Sequence, residues 1–184
     1  MGLIIIAPFA PFIMLAIKLE SPGPVIVKLT RVSEGRLIKV YKFRSMVEGA
    51  EKMKKKLSHL NERGDGPFFK IKKDPRLTRT GVIIRKFRVD EFPQLVNVLK
   101  GELALVGPRP HEPEEVAGYP EGYRHLIEQR AGVTGLSQVS GSSSLTFERE
   151  LELDAWYITH MSLYQDIRIT FLTASILFFD PSAV

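Results

Sequence analysis

The chain has 184 residues, enough for one domain with a real core and too few for two comfortable ones. Lys and Arg number 26 against 21 Asp and Glu, a net charge of +5, which points to an anionic partner: nucleic acid, an anionic membrane or a phosphorylated substrate. The absence of cysteine excludes disulfides, thiolate nucleophiles and cysteine metal sites, so any metal must use oxygen ligands or the four histidines, which show no metal-ligand spacing.

Residues 2–17, GLIIIAPFAPFIMLAI, carry no charge. As a helix they reach about 24 Å, short of the ~30 Å hydrocarbon core, and Pro8 and Pro11 remove backbone bonds from the middle of the run. The segment is expected to dip into one leaflet and turn back, with Lys18 and Glu20 at the interface. A buried core helix is one competitor. A signal peptide is another, although a basic n-region and a small-x-small cleavage site are both missing. The apolar start directly after Met1 suggests that upstream sequence, such as the first arm of a hairpin, belongs to the full protein.

SPGP at 21–24 is a turn, and the alternating runs 25–32 and 36–43, joined by Ser33-Glu34-Gly35, predict a β-hairpin. It leads into YKFRSM at 41–46, where Lys42 and Arg44, spaced by Phe43, suit an anion or a solvated strand edge equally. Residues 48–60 are predicted helical, with Lys52, Lys54, Lys55 and Lys56 forming a solvated face that would also attract anionic headgroups. After a polar loop at 61–66, Asp74-Pro75-Arg76 and Thr80-Gly81 are turn signals bracketing the entry to a short basic helix at 82–88.

The central stretch is RKFRVDEFPQLVNVLKGELALVGPRP, 85–110. Phe92, Leu95, Val96 and Leu99 recur at helical spacing, and Pro93 suits a first turn. Asp90 and Glu91 open this predicted helix behind Arg85, Lys86 and Arg88. At or near the N-cap, Asp90 is expected to accept backbone N–H groups and stay ionised, and the same donors could hold a phosphate. A plain cap with a dipole-compensating acid would look the same. Gly101 ends the helix, 103–106 is a strand candidate, and Gly107-Pro108-Arg109-Pro110 is a rigid turn that lowers the entropic cost of aiming the Arg109 guanidinium at a phosphate. Residues 125–130 are predicted helical. The Gly/Ser-rich 131–144 has the composition of a loop that could close over a ligand. Residues 147–157 form an acidic helix carrying Asp154, and 167–179 an apolar one too short to span. Neither GxGxxG nor P-loop spacing is present.

Taken in order, Ala7-Pro8, ESPGP (20–24), YKFRSM (41–46), VDEFPQL (89–95), NVLKG (97–101), VGPRP (106–110), GVTG (132–135), Gln138-Val139 and Leu153-Asp154 through Tyr157 resemble the bacterial sugar transferases, monotopic polyprenyl-phosphate phosphoglycosyl transferases. The resemblance implies an α/β (α+β-like) domain. A re-entrant membrane helix would occupy 1–20, and a catalytic domain 21–184 would sit on the cytoplasmic face of the bacterial inner membrane. It implies transfer of a sugar 1-phosphate from a UDP-sugar to undecaprenyl phosphate with Mg²⁺, releasing UMP, as the initiating step of surface glycan synthesis. Asp90 would be the nucleophile, with Glu91 beside it on Mg²⁺. Arg85 would grip the polyprenyl phosphate and Arg109 the nucleotide phosphates, with Arg88, Lys42, Arg44 and Gln138 as further substrate-binding residues. Partners would be the two substrates and the lipid bilayer, without nucleic acid; a homodimer is compatible. The chain departs from the family at Ala7-Pro8, where Ser-Pro is usual, and at Gly141-Ser142, where Gly-Arg is usual. Two competing classes are a nucleic-acid-binding protein, disfavoured by dispersed charge and the lack of a motif, and a membrane-anchored basic interaction module without catalysis.

Overall fold

The structure, a computed structural model, describes residues 8–179. Residues 2–7 of the apolar segment, including Ala7 of the Ala7-Pro8 pair, lie outside the described residues. Helix α1 spans Ala10–Glu20, with Pro11 in its first turn and Pro8 in the turn before it. Pro11 thus occupies a position that proline tolerates. Within the described residues neither proline interrupts α1. One side of α1 packs Ile13 and Ile17 against Phe43 and Ile84, while Phe12, Leu15 and Leu19 on the other side stay exposed.

Strands β1 (Ile26–Ser33) and β2 (Arg36–Phe43) form the expected antiparallel hairpin, in register from Ile26 opposite Phe43 to Ser33 opposite Arg36. Glu34 and Gly35 at its tip both have positive φ, 50° and 68°, the two-residue turn whose twist matches that of the strands. Helix α2 is short (Ala50–Lys56) and is followed by a 3₁₀ turn at Ser58–Leu60. Helix α3 (Arg79–Lys86) starts three residues earlier than the hydrophobic pattern suggests, because Thr78 caps it: its hydroxyl accepts the Gly81 N–H at 2.9 Å. Gly81 also lets α3 approach the strand end, since a Cβ there would lie 1.8 Å from the Ser45 carbonyl oxygen.

The predicted central helix is split. Val89–Glu91 form a 3₁₀ turn entered through Arg88 at φ 50°, and helix α4 begins only at Gln94, running to Leu99. Asp90 is therefore inside a tight turn, not at the cap of α4. Asn97 welds α4 to β2 by accepting the Tyr41 N–H (3.0 Å) and donating to the Lys39 carbonyl (2.8 Å). This side chain extends the hairpin's hydrogen bonding where no third strand exists.

Strand β3 (Ala104–Val106) pairs in parallel with β4 (Gly132–Thr134), Ala104 opposite Gly132 and Val106 opposite Thr134. A Cβ on Gly132 would lie 2.2 Å from the Gly107 nitrogen, so the Gly-Pro-Arg-Pro turn nests directly on this strand. Helix α5 (Pro113–Ala117), a 3₁₀ stretch at Glu121–Glu128, α6 (Leu136–Val139) and a 3₁₀ turn at Ser142–Ser144 lead to α7 (Phe147–Thr159) and α8 (Leu163–Phe179). The Gly/Ser-rich segment is thus structured in short pieces. The last helix starts four residues earlier than expected, which places Asp166 within it, accepting the Tyr157 hydroxyl at 2.7 Å. The core is four small clusters, around Phe68–Leu126–Phe147–Leu151, Val106–Leu136–Tyr157–Ile169, Ile17–Phe43–Ile84 and Val40–Leu103–Ala131. Mixed helix and small sheets match the expected α/β class. Among the described residues no helix is long and apolar enough to cross a membrane.

Candidate active site

The hairpin, the 88–94 segment, the 109–112 turn and α7 enclose a cavity of about 970 Å³, and all eight sequence-predicted site residues line it. Asp90 is buried within it. Burial pushes its carboxyl up to about 6, with the Lys42 ammonium and then Arg85 opposing and the Glu91 charge adding. This corrects the expectation of a cap-stabilised, firmly ionised carboxylate: the tight turn points Asp90 into a low-dielectric cavity. Among the described residues no other side chain donates a hydrogen bond to it.

Glu91 differs. Burial alone would raise it, but the Lys42 ammonium, 2.5 Å away, together with Arg109 and Arg88, holds it below the usual carboxylate range. Neighbouring carboxyls are thereby driven apart in proton affinity, the arrangement that lets two acids take different roles. Lys42 reaches Glu91 from β2, a role on the carboxylate where the sequence suggested only an anion contact. Arg85, in the last turn of α3, donates through Nε to the Ser45 hydroxyl at 2.9 Å. Its other nitrogens stay available at the cavity wall.

Arg44 is placed otherwise. Its guanidinium donates to the carbonyls of Pro22, Ser21 (2.7 Å) and Ile17 (3.4 Å), closing the C-terminal end of α1. A residue expected to meet a phosphate is committed to carbonyls at and just past the end of α1. Gln138 is buried in α6 with its amide donating to the Val133 carbonyl at 3.1 Å. Its oxygen has no partner among the described residues.

Arg109 stands at the opposite wall. Asp154 accepts its backbone N–H at 3.1 Å. The guanidinium, partly exposed to the cavity, reaches the Ser142 hydroxyl at 3.4 Å and lies 3.8 Å from Glu150. Ser142, standing where the family usually has arginine, thus contacts the phosphate-binding candidate itself. Asp154 is raised to about 6 by burial, against the hydrogen bond from the Arg109 amide. Sequence reasoning met Ser142 only as a departure from the family and Ser45 only inside the YKFRSM motif, and it gave Glu150 no role; Glu150's trace there is its place four residues before Asp154, on the same face of α7.

Asp90 and Glu91 are the oxygen donors that could hold a divalent cation, and no cluster of three metal-ligating side chains exists among the described residues. One or two carboxylates completed by substrate phosphates and water is what Mg²⁺ ordinarily takes, so the pair fits it.

The profile of the bacterial sugar transferase family matches residues 1–180. The chain is 39% identical over 184 residues to the galactosyl transferase CpsE of Streptococcus agalactiae, covering 99% of this chain and 40% of that protein. It is 38% identical over 180 residues to the undecaprenyl-phosphate galactose phosphotransferase of Salmonella typhimurium, covering 96% and 38%. To the exopolysaccharide production protein PSS of Rhizobium leguminosarum it is 40% identical over 185 residues, covering 94% and 86%. It therefore spans about two fifths of the first two relatives and most of the third. Since the match takes in every residue that lines the cavity, the chain belongs to the bacterial sugar transferase family.

Proposed function

We propose that the protein transfers a sugar 1-phosphate from a UDP-sugar to a polyprenyl phosphate on the cytoplasmic face of the bacterial inner membrane, beginning the assembly of a surface glycan. The observation that carries this is the convergence on one cavity of a buried carboxylate free of side-chain donors and of cations from three separate elements, Lys42, Arg85 and Arg109. Similarity to relatives named for undecaprenyl-phosphate sugar phosphotransfer supports the substrate classes. In the first step an Asp90 carboxylate oxygen bonds to the sugar-proximal phosphorus as the bond from that phosphorus to the bridging oxygen breaks, and UMP leaves with both electrons. In the second, an oxygen of the lipid phosphate attacks the same phosphorus and returns the carboxylate. Lys42 fixes Glu91, while Arg85 and Arg109 offset the charge of a diphosphate approached by an anion. Mg²⁺ held by Asp90 and Glu91 would add Lewis-acid neutralisation of phosphate charge.

On a 3₁₀ turn successive side chains diverge by about 120°, so the two acids cannot share one line of attack. Asp90→Asn is expected to abolish UMP release and any covalent adduct seen by intact-protein mass spectrometry without lipid, whereas Glu91→Gln slows turnover. An adduct mapped to Glu91, or full turnover by Asp90→Asn, would overturn the assignment.

The membrane reading rests on α1. An apolar helix that buries Ile17 inward still exposes Phe12, Leu15 and Leu19 outward, and α3 exposes Ile83 and Phe87 beside it; such surface is stable in contact with lipid.

A further inference from the structure

Helix α7 seats two carboxylates one turn apart beneath the Gly-Pro-Arg-Pro turn: Asp154 holds the Arg109 backbone, and Glu150 lies under its side chain. Glu150 is almost fully buried, with Oε1 3.3 Å from His111 Nε2. His111 Nδ1 in turn hydrogen-bonds the Tyr119 hydroxyl. Burial holds the Tyr119 phenol protonated, well above its ordinary range, so it is the donor. Nδ1 then accepts, and Nε2–H donates to Glu150, a single consistent direction along the chain of bonds. Arg63 also approaches Glu150, at 3.9 Å, but its guanidinium already lies over the Phe68 ring (4.5 Å) and bonds Asp65 and the Leu145 carbonyl. Of the two cations, Arg109 is the more open to the cavity, 38% exposed against 10% for Arg63.

We propose that Glu150, tethered in the core by Tyr119 and His111, is the positioning residue that aims Arg109 at the donor's phosphates; this rests on the function proposed above. The separation matters. A bidentate pair at about 2.8 Å would occupy the guanidinium fork and compete with a phosphate. At 3.8 Å the carboxylate orients the cation by charge without taking an N–H donor, and the one long bond the guanidinium makes, to the Ser142 hydroxyl, leaves most of its fork for a phosphate. The His111 bond keeps Glu150 from rising to close that gap.

The test is a double-mutant cycle with Glu150→Gln, Arg109→Ala and both together. It is read in UMP release from the UDP-sugar and, separately, in UDP affinity by calorimetry. Glu150→Gln is expected to lower kcat/KM for the UDP-sugar by tenfold or more, to leave the KM for polyprenyl phosphate unchanged, and to have less than a twofold effect once Arg109 is Ala. Tyr119→Phe, which loosens the tether without removing a charge, should give a smaller loss that also vanishes in the Arg109→Ala background, and it serves if Glu150→Gln does not fold. Losses that multiply, or wild-type kinetics in Glu150→Gln, would overturn the proposal. Wild-type protein that binds UDP without releasing UMP would overturn the proposed function instead, while the cycle in UDP affinity would still judge Glu150.

Discussion

At the scale of single residues, the decisive quantity is the cost of burying charge. Asp90 has a folded-state pKa near 6, above the value of an unfolded aspartate near 3.9. Its buried carboxyl therefore stabilises the fold at low pH, and that contribution is lost as pH rises through about 6. Asp90→Asn removes the buried charge. It should raise the melting temperature above wild type at pH 7.5, by a stability on the order of 1–3 kcal/mol, and the gap should shrink at pH 5. A variant less stable than wild type at pH 7.5 would show that the carboxylate is net favourable where it lies. In activity the sign is opposite: kcat/KM of the wild type should rise with pH and level off above about 6, because only the ionised carboxyl is a nucleophile. Arg85→Ala should cost about 1.5–3 kcal/mol in kcat/KM, the scale of a lost charge-assisted contact, with Lys restoring part of it. Loss of the Ser45 hydroxyl should reproduce a fraction of the effect, because Ser45 holds Arg85 in place.

At the scale of elements, the first helix and the helix carrying Arg85 satisfy each other's open ends. Both carboxylate oxygens of Glu20, the last residue of α1, accept backbone N–H groups at the start of α3, from Arg79 at 2.5 Å and Thr80 at 2.8 Å. With the Thr78 hydroxyl taking the Gly81 N–H and the Thr78 N–H donating to the Ser45 carbonyl at 3.1 Å, all four orphan donors of α3 are met. Arg44, one residue past the strand that carries Lys42, closes the end of α1. Glu20→Ala is expected to cost about 1 kcal/mol, the value of a helix cap. In a domain of this size that is a fall of roughly 2–4 °C in Tm, and Glu20→Gln should recover little of it, since its amide nitrogen cannot accept. An unchanged Tm in Glu20→Ala would mean that water replaces the cap without loss.

For the whole molecule, the outward apolar faces of α1 and α3 lie on the elements that carry or brace the cavity wall. If α1 inserts without crossing, as proposed, both its ends lie on one side of the bilayer. Single cysteines at Lys18→Cys and Arg36→Cys, and a tag ahead of Met1, should all label from the cytoplasmic side in spheroplasts. Labelling of the tag from the opposite side would mean that the segment spans.

By itself the sequence determined what depends on neighbours within about four residues and on charge: the hairpin joined through Ser33-Glu34-Gly35, helices over most of 147–159 and 163–179, read as 147–157 and 167–179, the mixed α/β class, and the family through its ordered motifs. It also singled out Asp90, Glu91, Arg85 and Arg109, since those residue types at those turns suit phosphate chemistry, and all of them line the same cavity. Tertiary structure alone decided which partners they meet. Arg44 finds the Ser21 and Ile17 carbonyls at the end of α1, 23 and 27 residues back, Lys42 reaches Glu91 across 49 residues, and Glu150 arrives under Arg109 from a helix that local pattern shows only as acidic. Desolvation belongs to the same scale. An aspartate that opens a helix and one that sits buried in a 3₁₀ turn read alike in sequence, and only the surrounding packing sets how hard it is to ionise.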